Sequence, residues 1–421
     1  MIRRETLPNG LEIATYTMSG MESVSLGVWV RAGCRYEKKE VNGISHLLEH
    51  LLFKGTERRD TETLKQEIEG RGGTFNGFTA EEHTCYLVKI LAKDLTIGVD
   101  ILSDMVLHPL LKEQDILKEK RVVVEEISMY KDLPNHYIHE LLSETLWPGQ
   151  PLGAPLAGSV ESVLSIGKKE LIGYKNGYYT LDNMLVFGAG NLRHDDLVRL
   201  SKRFFRSGRT SGKEPAYDRA VNAQTKPRMK VFCKDTEQTH IAVGFHSFDR
   251  FHRDRYALSL LNIILGANMS SRLFCEVRER LALCYEIATS LRRYDDAGAF
   301  VINAGVDFGR ITKALAVIQK ELKKIKRKLV GSEELTRAKE YYKGQLLFHL
   351  EDTMASMLWM GEKAVSKECE YNAKKMIGKV NAITPDQIRG AARSIFKNES
   401  LNLAVIGPVK KPGAIERALS V

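Results

Sequence analysis

The chain has no run of about 18 apolar residues, so no segment reads as a membrane-spanning helix. Its first residues, Met1-Ile2-Arg3-Arg4-Glu5-Thr6-Leu7-Pro8, carry two arginines but not the apolar stretch of a secretory signal. They also lack the length and acid-poor character of an organelle transit peptide. Cysteine is sparse. Cys34, Cys85, Cys233, Cys275, Cys284 and Cys369 are scattered with no C-x-x-C spacing. That argues against thiolate zinc sites and a disulfide framework, and it points to a reducing cytoplasm. A net charge of +10 permits nucleic-acid binding. The densest basic runs, 323–328 and 118–121, look helical and contain no interleaved aromatics. They read as solvated helix faces, with no nucleic-acid partner. The balance of 43% apolar and 28% charged residues is that of a soluble globular protein. Its 421 residues exceed one ordinary domain and predict two or three.

What is present is a compact ionisable group in residues 43–55. There His46, Glu49 and His50 spell H-x-x-E-H, the inverse of the common zinc-protease signature. On a helix, His46 and His50 stand one turn apart and Glu49 shares their face. The leucines between them supply the opposite, core-facing side. Two imidazoles so placed can hold one zinc ion while the carboxylate reaches a metal-bound water. A half-buried helix whose histidines only satisfy hydrogen bonds would carry the same five residues. A third ligand and a substrate site decide between the two.

Strand-like alternation covers 11–16 and 24–30, with Asn9-Gly10 as a hairpin turn before the first. Asp60 opens a helix that ends near Gly70. Segments 74–79 and 82–88 read as two strands joined by a short turn. Gly77 marks either an ordinary, weakened strand or an edge closely approached by another backbone. In the second case a peptide adds as an extra strand and Asn76 offers it side-chain hydrogen bonds. A helix near 94–107 precedes a long one over 114–130. One stripe of the long helix is Ile116, Glu119, Val123, Glu126, Ile127 and Tyr130. Carboxylates among such core positions are costly unless paired or bound to metal. Glu126 is therefore the candidate third ligand and Glu119 an auxiliary acid behind the ligands. An internal salt bridge is the alternative.

Assembled, these pieces resemble the pitrilysin or insulinase-type zinc metallopeptidases (inverzincins). The likeness is strongest to their short branch, which includes the mitochondrial processing peptidase β-subunit and its bacterial relatives. It rests on residues 43–55, on Gly72-Gly73-Thr74-Phe75-Asn76-Gly77-Phe78-Thr79, and on the interval from His50 to Glu126, with Glu119 two turns before that ligand. The resemblance implies zinc on His46, His50 and Glu126, with Glu49 as general base and Glu119 as an auxiliary catalytic group. It also implies a substrate-binding strand carrying Phe75, Asn76 and Gly77. Two departures occur: Gly77 where the family often has alanine, and Gln150 where relatives commonly carry histidine. Neither is expected to touch the zinc chemistry.

Residues 211–228 read as a turn-rich linker between a zinc-binding domain over 1–210 and a second domain over 229–421. The second half repeats the first. Strands at 230–233 and 240–245 lead to a helix around 256–266, where Ala257, Leu260 and Leu261 stand opposite His46, Glu49 and His50. A helix over 333–347 puts Leu347 opposite Glu126, and 401–407 echoes 184–190. This is the pattern of a duplicated domain without the metal site. In the family, an arginine and a tyrosine in the context of 271–287 reach the substrate. Arg278 and Tyr285 match, with Ala282 in place of the usual glycine. A guanidinium and a phenol could bind the substrate carbonyl and stabilise a developing oxyanion. On the residues alone, Tyr285 reads as half-buried strand packing and Arg278 as a surface charge.

The resemblance implies an α+β fold of two homologous domains, each an antiparallel β-sheet with packed helices, enclosing a peptide chamber. It implies a zinc-dependent endopeptidase acting on short or unfolded peptides. A chain with both the zinc motif and the Arg278/Tyr285 pair needs no different subunit, which predicts a homodimer or a monomer. The rival expectation is a non-catalytic peptide-binding or structural subunit of a processing-peptidase-like complex. The intact H-x-x-E-H opposes it, because such subunits usually lose motif residues.

Overall fold

Two β-sheets organise the computed structural model, which describes residues 2–368 and 370–419. Cys369 lies outside the described residues; the other five cysteines are free. The first sheet holds β1 (Ile2–Thr6), β2 (Glu12–Thr17), β3 (Ser23–Val30), β4 (Thr74–Thr79), β5 (Thr84–Leu91) and β6 (Met184–Gly190), in the order β1-β2-β6-β3-β5-β4. The second holds β7 (Arg228–Cys233), β8 (Thr239–His246), β9 (Cys284–Arg293), β10 (Gly298–Val306) and β11 (Leu401–Gly407), in the order β7-β11-β8-β10-β9. With β1 set aside, the two orders coincide strand for strand. The echoing segments β6 and β11 take the same place. The expected antiparallel sheets need one amendment: β2 with β6 and β7 with β11 run parallel. A parallel pair needs a long crossover, and in each half most of that half's helices lie between the paired strands.

In the first half the helices that matter are α1 (Ile44–Leu52), α2 (Thr61–Glu69), α3 (Leu95–Leu107), α4 (Glu113–Asp132) and α5 (Pro134–Leu146). Asp60 caps α2 by accepting the Thr63 N–H. The helix Arg255–Leu265 follows β8 as α1 follows β3, so the second copy keeps the element. Its Ala257, Leu260 and Leu261 are fully buried and apolar, and it carries no ligand.

The chain divides into two compact units that interleave in sequence. One comprises Met1–Ser128, Ala154–Asp218 and Leu347–Asn372; the other comprises Met129–Gly153, Arg219–Leu346 and Ala373–Val421. The cause is the helix placed directly after each long one. After α4 the chain sends α5 onto the second sheet, where Ile138, Leu141 and Leu142 join Ala242, Val301, Ala404 and Ile406 in one core. After the helix Ser332–His349 it sends Thr353–Val365 onto the first sheet, where Met357 and Met360 pack with Trp29, Leu185 and Phe187. Both contacts need small residues. A Cβ at Gly361 would fall 2.5 Å from the Trp29 indole, and one at Gly244 would fall 2.9 Å from Leu142. The other face of the first sheet forms the larger core with α1 and α3.

The 211–228 stretch has no helix or strand before β7 begins at Arg228, yet it is tied down. The Arg35 guanidinium lies 3.9 Å over the Tyr217 ring. Gln150 accepts the Val221 N–H at 2.7 Å and donates to the Val221 carbonyl at 3.0 Å. No helix among the described residues is long and apolar enough to cross a membrane.

Candidate metal centre

The chain fixes α1 before any ligand is considered. Leu47, Leu48, Leu51 and Leu52 are almost completely buried. Each contributes about 2 kcal/mol of transfer free energy, enough to hold polar neighbours on the same helix. At its N-terminus the Glu37 carboxylate accepts the Gly43 N–H at 2.7 Å and the Ser45 N–H at 2.8 Å, matching negative charge to the helix dipole. Gly43 sits at φ +94°, and a Cβ there would strike the Ala157 carbonyl.

His46 and His50 project from α1 toward Glu126 on α4. The Nε2 atoms of the two imidazoles lie 3.7 and 3.6 Å from Glu126 Oε2. Those separations are too long for hydrogen bonds. They approach the roughly 3.3–3.6 Å edges of a tetrahedron built from zinc bonds of about 2.0–2.2 Å. One ligand atom from each residue lies within 4.8 Å of the others, and this is the only group of its kind among the described residues that could hold a metal ion. The donor set of two imidazoles and one carboxylate suits zinc and leaves a fourth position open. Burial, then the neighbouring His50, pushes His46 down to about 4, so it is neutral near pH 7, as a ligand must be. Burial opposes charging of His50, but its bond to Glu119 and the surrounding carboxylates outweigh it and raise its pKa.

Behind His50, Glu119 Oε2 lies 3.2 Å from Nδ1, and Lys54 Nζ lies 2.8 Å from the other Glu119 oxygen. Burial works against ionisation of Glu119, yet the bonds from His50 and Lys54 prevail and hold its pKa below the ordinary value.

Glu49 shares the face but is not in the ligand group. Its Oε2 accepts the buried Thr79 hydroxyl at 2.9 Å. Burial raises its pKa, against the lowering effects of that bond and of His50. A shift in that direction strengthens the carboxylate as a proton acceptor. The Gly77 departure, expected to stand clear of the chemistry, in fact borders this group. A Cβ at position 77 would fall 3.1 Å from Glu49 Oε1 and 3.1 Å from Phe53 Cε2.

Phe75, Asn76 and Gly77 lie on β4, an edge strand of the first sheet, which among the described residues pairs with β5 alone. Phe75 packs on Phe53 with ring centres 5.3 Å apart. Asn76 is exposed, and its Oδ1 accepts the Gly77 N–H at 2.9 Å. In the other unit, Arg278 lies in a π-helical turn, Phe274–Arg280, and Tyr285 is the second residue of β9, an edge strand. The guanidinium is 5.5 Å from the Tyr285 ring centre and 4.5 Å from that of Phe274. Tyr285 is 75% exposed, so it is not strand packing.

The structure therefore gathers His46, Glu49, His50, Glu119 and Glu126 on two helices beside β4, and it pairs Arg278 with Tyr285. Sequence reasoning missed Lys54, Thr79 and Glu37. Lys54 stands four residues after His50, a spacing that puts both on one helix face. Thr79 shares strand parity with Gly77. Glu37 lies in a stretch without periodicity and gave no signal.

Known proteins share both the sequence pattern and the fold. Residues 13–160 match the family described as "Insulinase (Peptidase family M16)", and residues 165–342 match "Peptidase M16 inactive domain". The uncharacterized zinc protease YmxG of Bacillus subtilis is 35% identical over 97% of this chain and 98% of its own length. An uncharacterized zinc protease of Streptomyces coelicolor is 33% identical, covering 97% of this chain and 90% of its own. Among solved structures, a protease from Helicobacter pylori superposes with a TM-score of 0.90 at 22% identity, over 97% of this chain and 100% of the other. The last likeness concerns the fold alone.

Proposed function

The chain belongs to the insulinase family of peptidases, M16, and from that premise we propose that it is a zinc-dependent endopeptidase of short or unfolded peptides. One observation carries the reading: a half-buried group of two histidines and a glutamate, with a further carboxylate beside it that is not needed as a ligand. His46, His50 and Glu126 would hold the metal. Bound there, zinc supplies a Lewis acid that polarises the scissile carbonyl and makes water more acidic.

The remaining work falls to side chains. Glu49, held by Thr79, takes the proton of the attacking water and returns it to the leaving amine. The free edge of β4 receives the substrate as an extended strand, with Asn76 beside its backbone. Arg278 and Tyr285 take substrate-facing roles as donors to the carbonyl oxygen, a reading supported by their adjacency and the exposure of the phenol. Free cysteines support a reducing compartment, the cytoplasm. The chain works as a homodimer or a monomer.

The test is cleavage of a mixed unfolded-peptide pool, read by mass spectrometry, for zinc-loaded wild type and Glu49→Gln. Cleavage by the wild type that disappears in the variant is the expected result. No cleavage by a folded, zinc-loaded wild type would favour the peptide-binding subunit instead.

A further inference from the structure

Two imidazoles face the candidate metal position, but only one is held from behind. His46 Nδ1 is buried without a hydrogen-bond partner among the described residues, whereas His50 Nδ1 meets Glu119. Glu119 is gripped in turn by Lys54, on its other oxygen, at 2.8 Å. The Glu119 side chain is 8% exposed, so water offers little substitute. Lys54 belongs to the turn closing α1, where its N–H donates to the Leu51 carbonyl. His50 and Lys54 thus reach one carboxylate from the same helix end, and that carboxylate comes from α4.

A carboxylate on a flexible stem with one partner can rotate; a second, charge-assisted bond at its other oxygen stops the rotation. A fixed acceptor at Nδ1 places the proton there and leaves Nε2 free to bind metal. We infer that Lys54 is a positioning residue for the metal centre, holding Glu119 so that Glu119 holds His50 with Nε2 toward the metal. The inference rests on the reading of His46, His50 and Glu126 as ligands. The simpler role for Lys54 is to neutralise a buried carboxylate, which would affect folding and not the metal.

The two roles separate when zinc affinity is measured on the metal-stripped full chain, by competition with a chromophoric chelator and without peptide. Lys54→Met keeps the apolar stem and should weaken zinc binding about 10-fold or more, the usual effect of losing a partner behind a ligand. Lys54→Arg, which keeps the charge and the reach, should restore it. The zinc-loaded wild type should also show a slowly exchanging His50 Nδ1–H proton by NMR, lost in Lys54→Met. Should Lys54→Met fail to fold, Lys54→Gln makes the same comparison. Wild-type zinc affinity in the folded variant, with only the melting temperature lowered, would overturn the inference. A wild type that binds zinc tightly but cleaves nothing would sink the peptidase reading and leave this one intact. A wild type that takes up no zinc would sink both.

Discussion

A single hydroxyl bears on the proposed base. Thr79 donates to Glu49 inside the protein, where a bond to a charged group is worth about 1.5–3 kcal/mol. Thr79→Val should therefore lower kcat about 10-fold or more with little change in KM, and Thr79→Ser should keep most of it, in steady-state peptide cleavage. An equal rise in KM would assign Thr79 to substrate binding instead. Ala282 makes a second residue-scale case. It sits at φ +46°, just after the π-helical turn, where the family usually has glycine. An L-residue there costs roughly 1–2 kcal/mol, and glycine returns part of that in unfolded-state entropy. Ala282→Gly should thus stabilise the protein by about 0.5–1 kcal/mol, seen as a raised urea midpoint. At this scale the sequence was legible wherever spacing is local. His46, Glu49 and His50 lie within one helical turn, and Glu126 stood out as a carboxylate on an apolar stripe. Thr79 reaching Glu49, and Lys54 reaching Glu119, join separate elements, so spacing gives the face each lies on but not the partner it meets.

Among the elements, the exchanged helices are where packing tolerates least. Helix Thr353–Val365 lies so close to Trp29 that Gly361→Ala must displace the indole or the helix, at a cost of about 1–3 kcal/mol. Loss of thermal stability with zinc affinity unchanged would confirm that the cost is packing. The counterpart helix α5 carries His139, and the strand β8 on which it packs ends at His246. Burial, then Arg292, pushes His139 down to about 4; burial, then Arg228, does the same to His246. Both native pKa values lie below the unfolded value near 6.5, so the unfolded chain binds more protons between those limits. Their contribution to stability is complete above about pH 6.5 and is lost as pH falls toward 4. The urea midpoint should drop across that window, and His139→Gln with His246→Gln should flatten the drop. Strands β2 to β8 and β11 and helices α1 to α4 were legible in the sequence pattern, and 184–190 echoed 401–407, whereas β1, β10 and α5 were not read there. Which sheet α5 and Thr353–Val365 would cover was not legible either, because an amphipathic face does not name its partner.

For the whole molecule, duplication explains both the shared strand order and the single metal group found among the described residues. The second copy retains the helix after β8, and Ala257, Leu260 and Leu261, which the sequence pairing sets opposite His46, Glu49 and His50, are buried and apolar there. The duplication was visible in sequence, whereas the interleaving of the two units was not. Zinc should bind the folded chain and not the unfolded one, so chelation should lower the melting temperature and added zinc should restore it. The central claim separates ligands from base, and one paired measurement addresses it: zinc content and peptide cleavage of Glu49→Gln beside Glu126→Gln. The account predicts that Glu49→Gln retains its zinc and loses cleavage, while Glu126→Gln loses both. Zinc lost from Glu49→Gln, or cleavage surviving in it, would contradict the account.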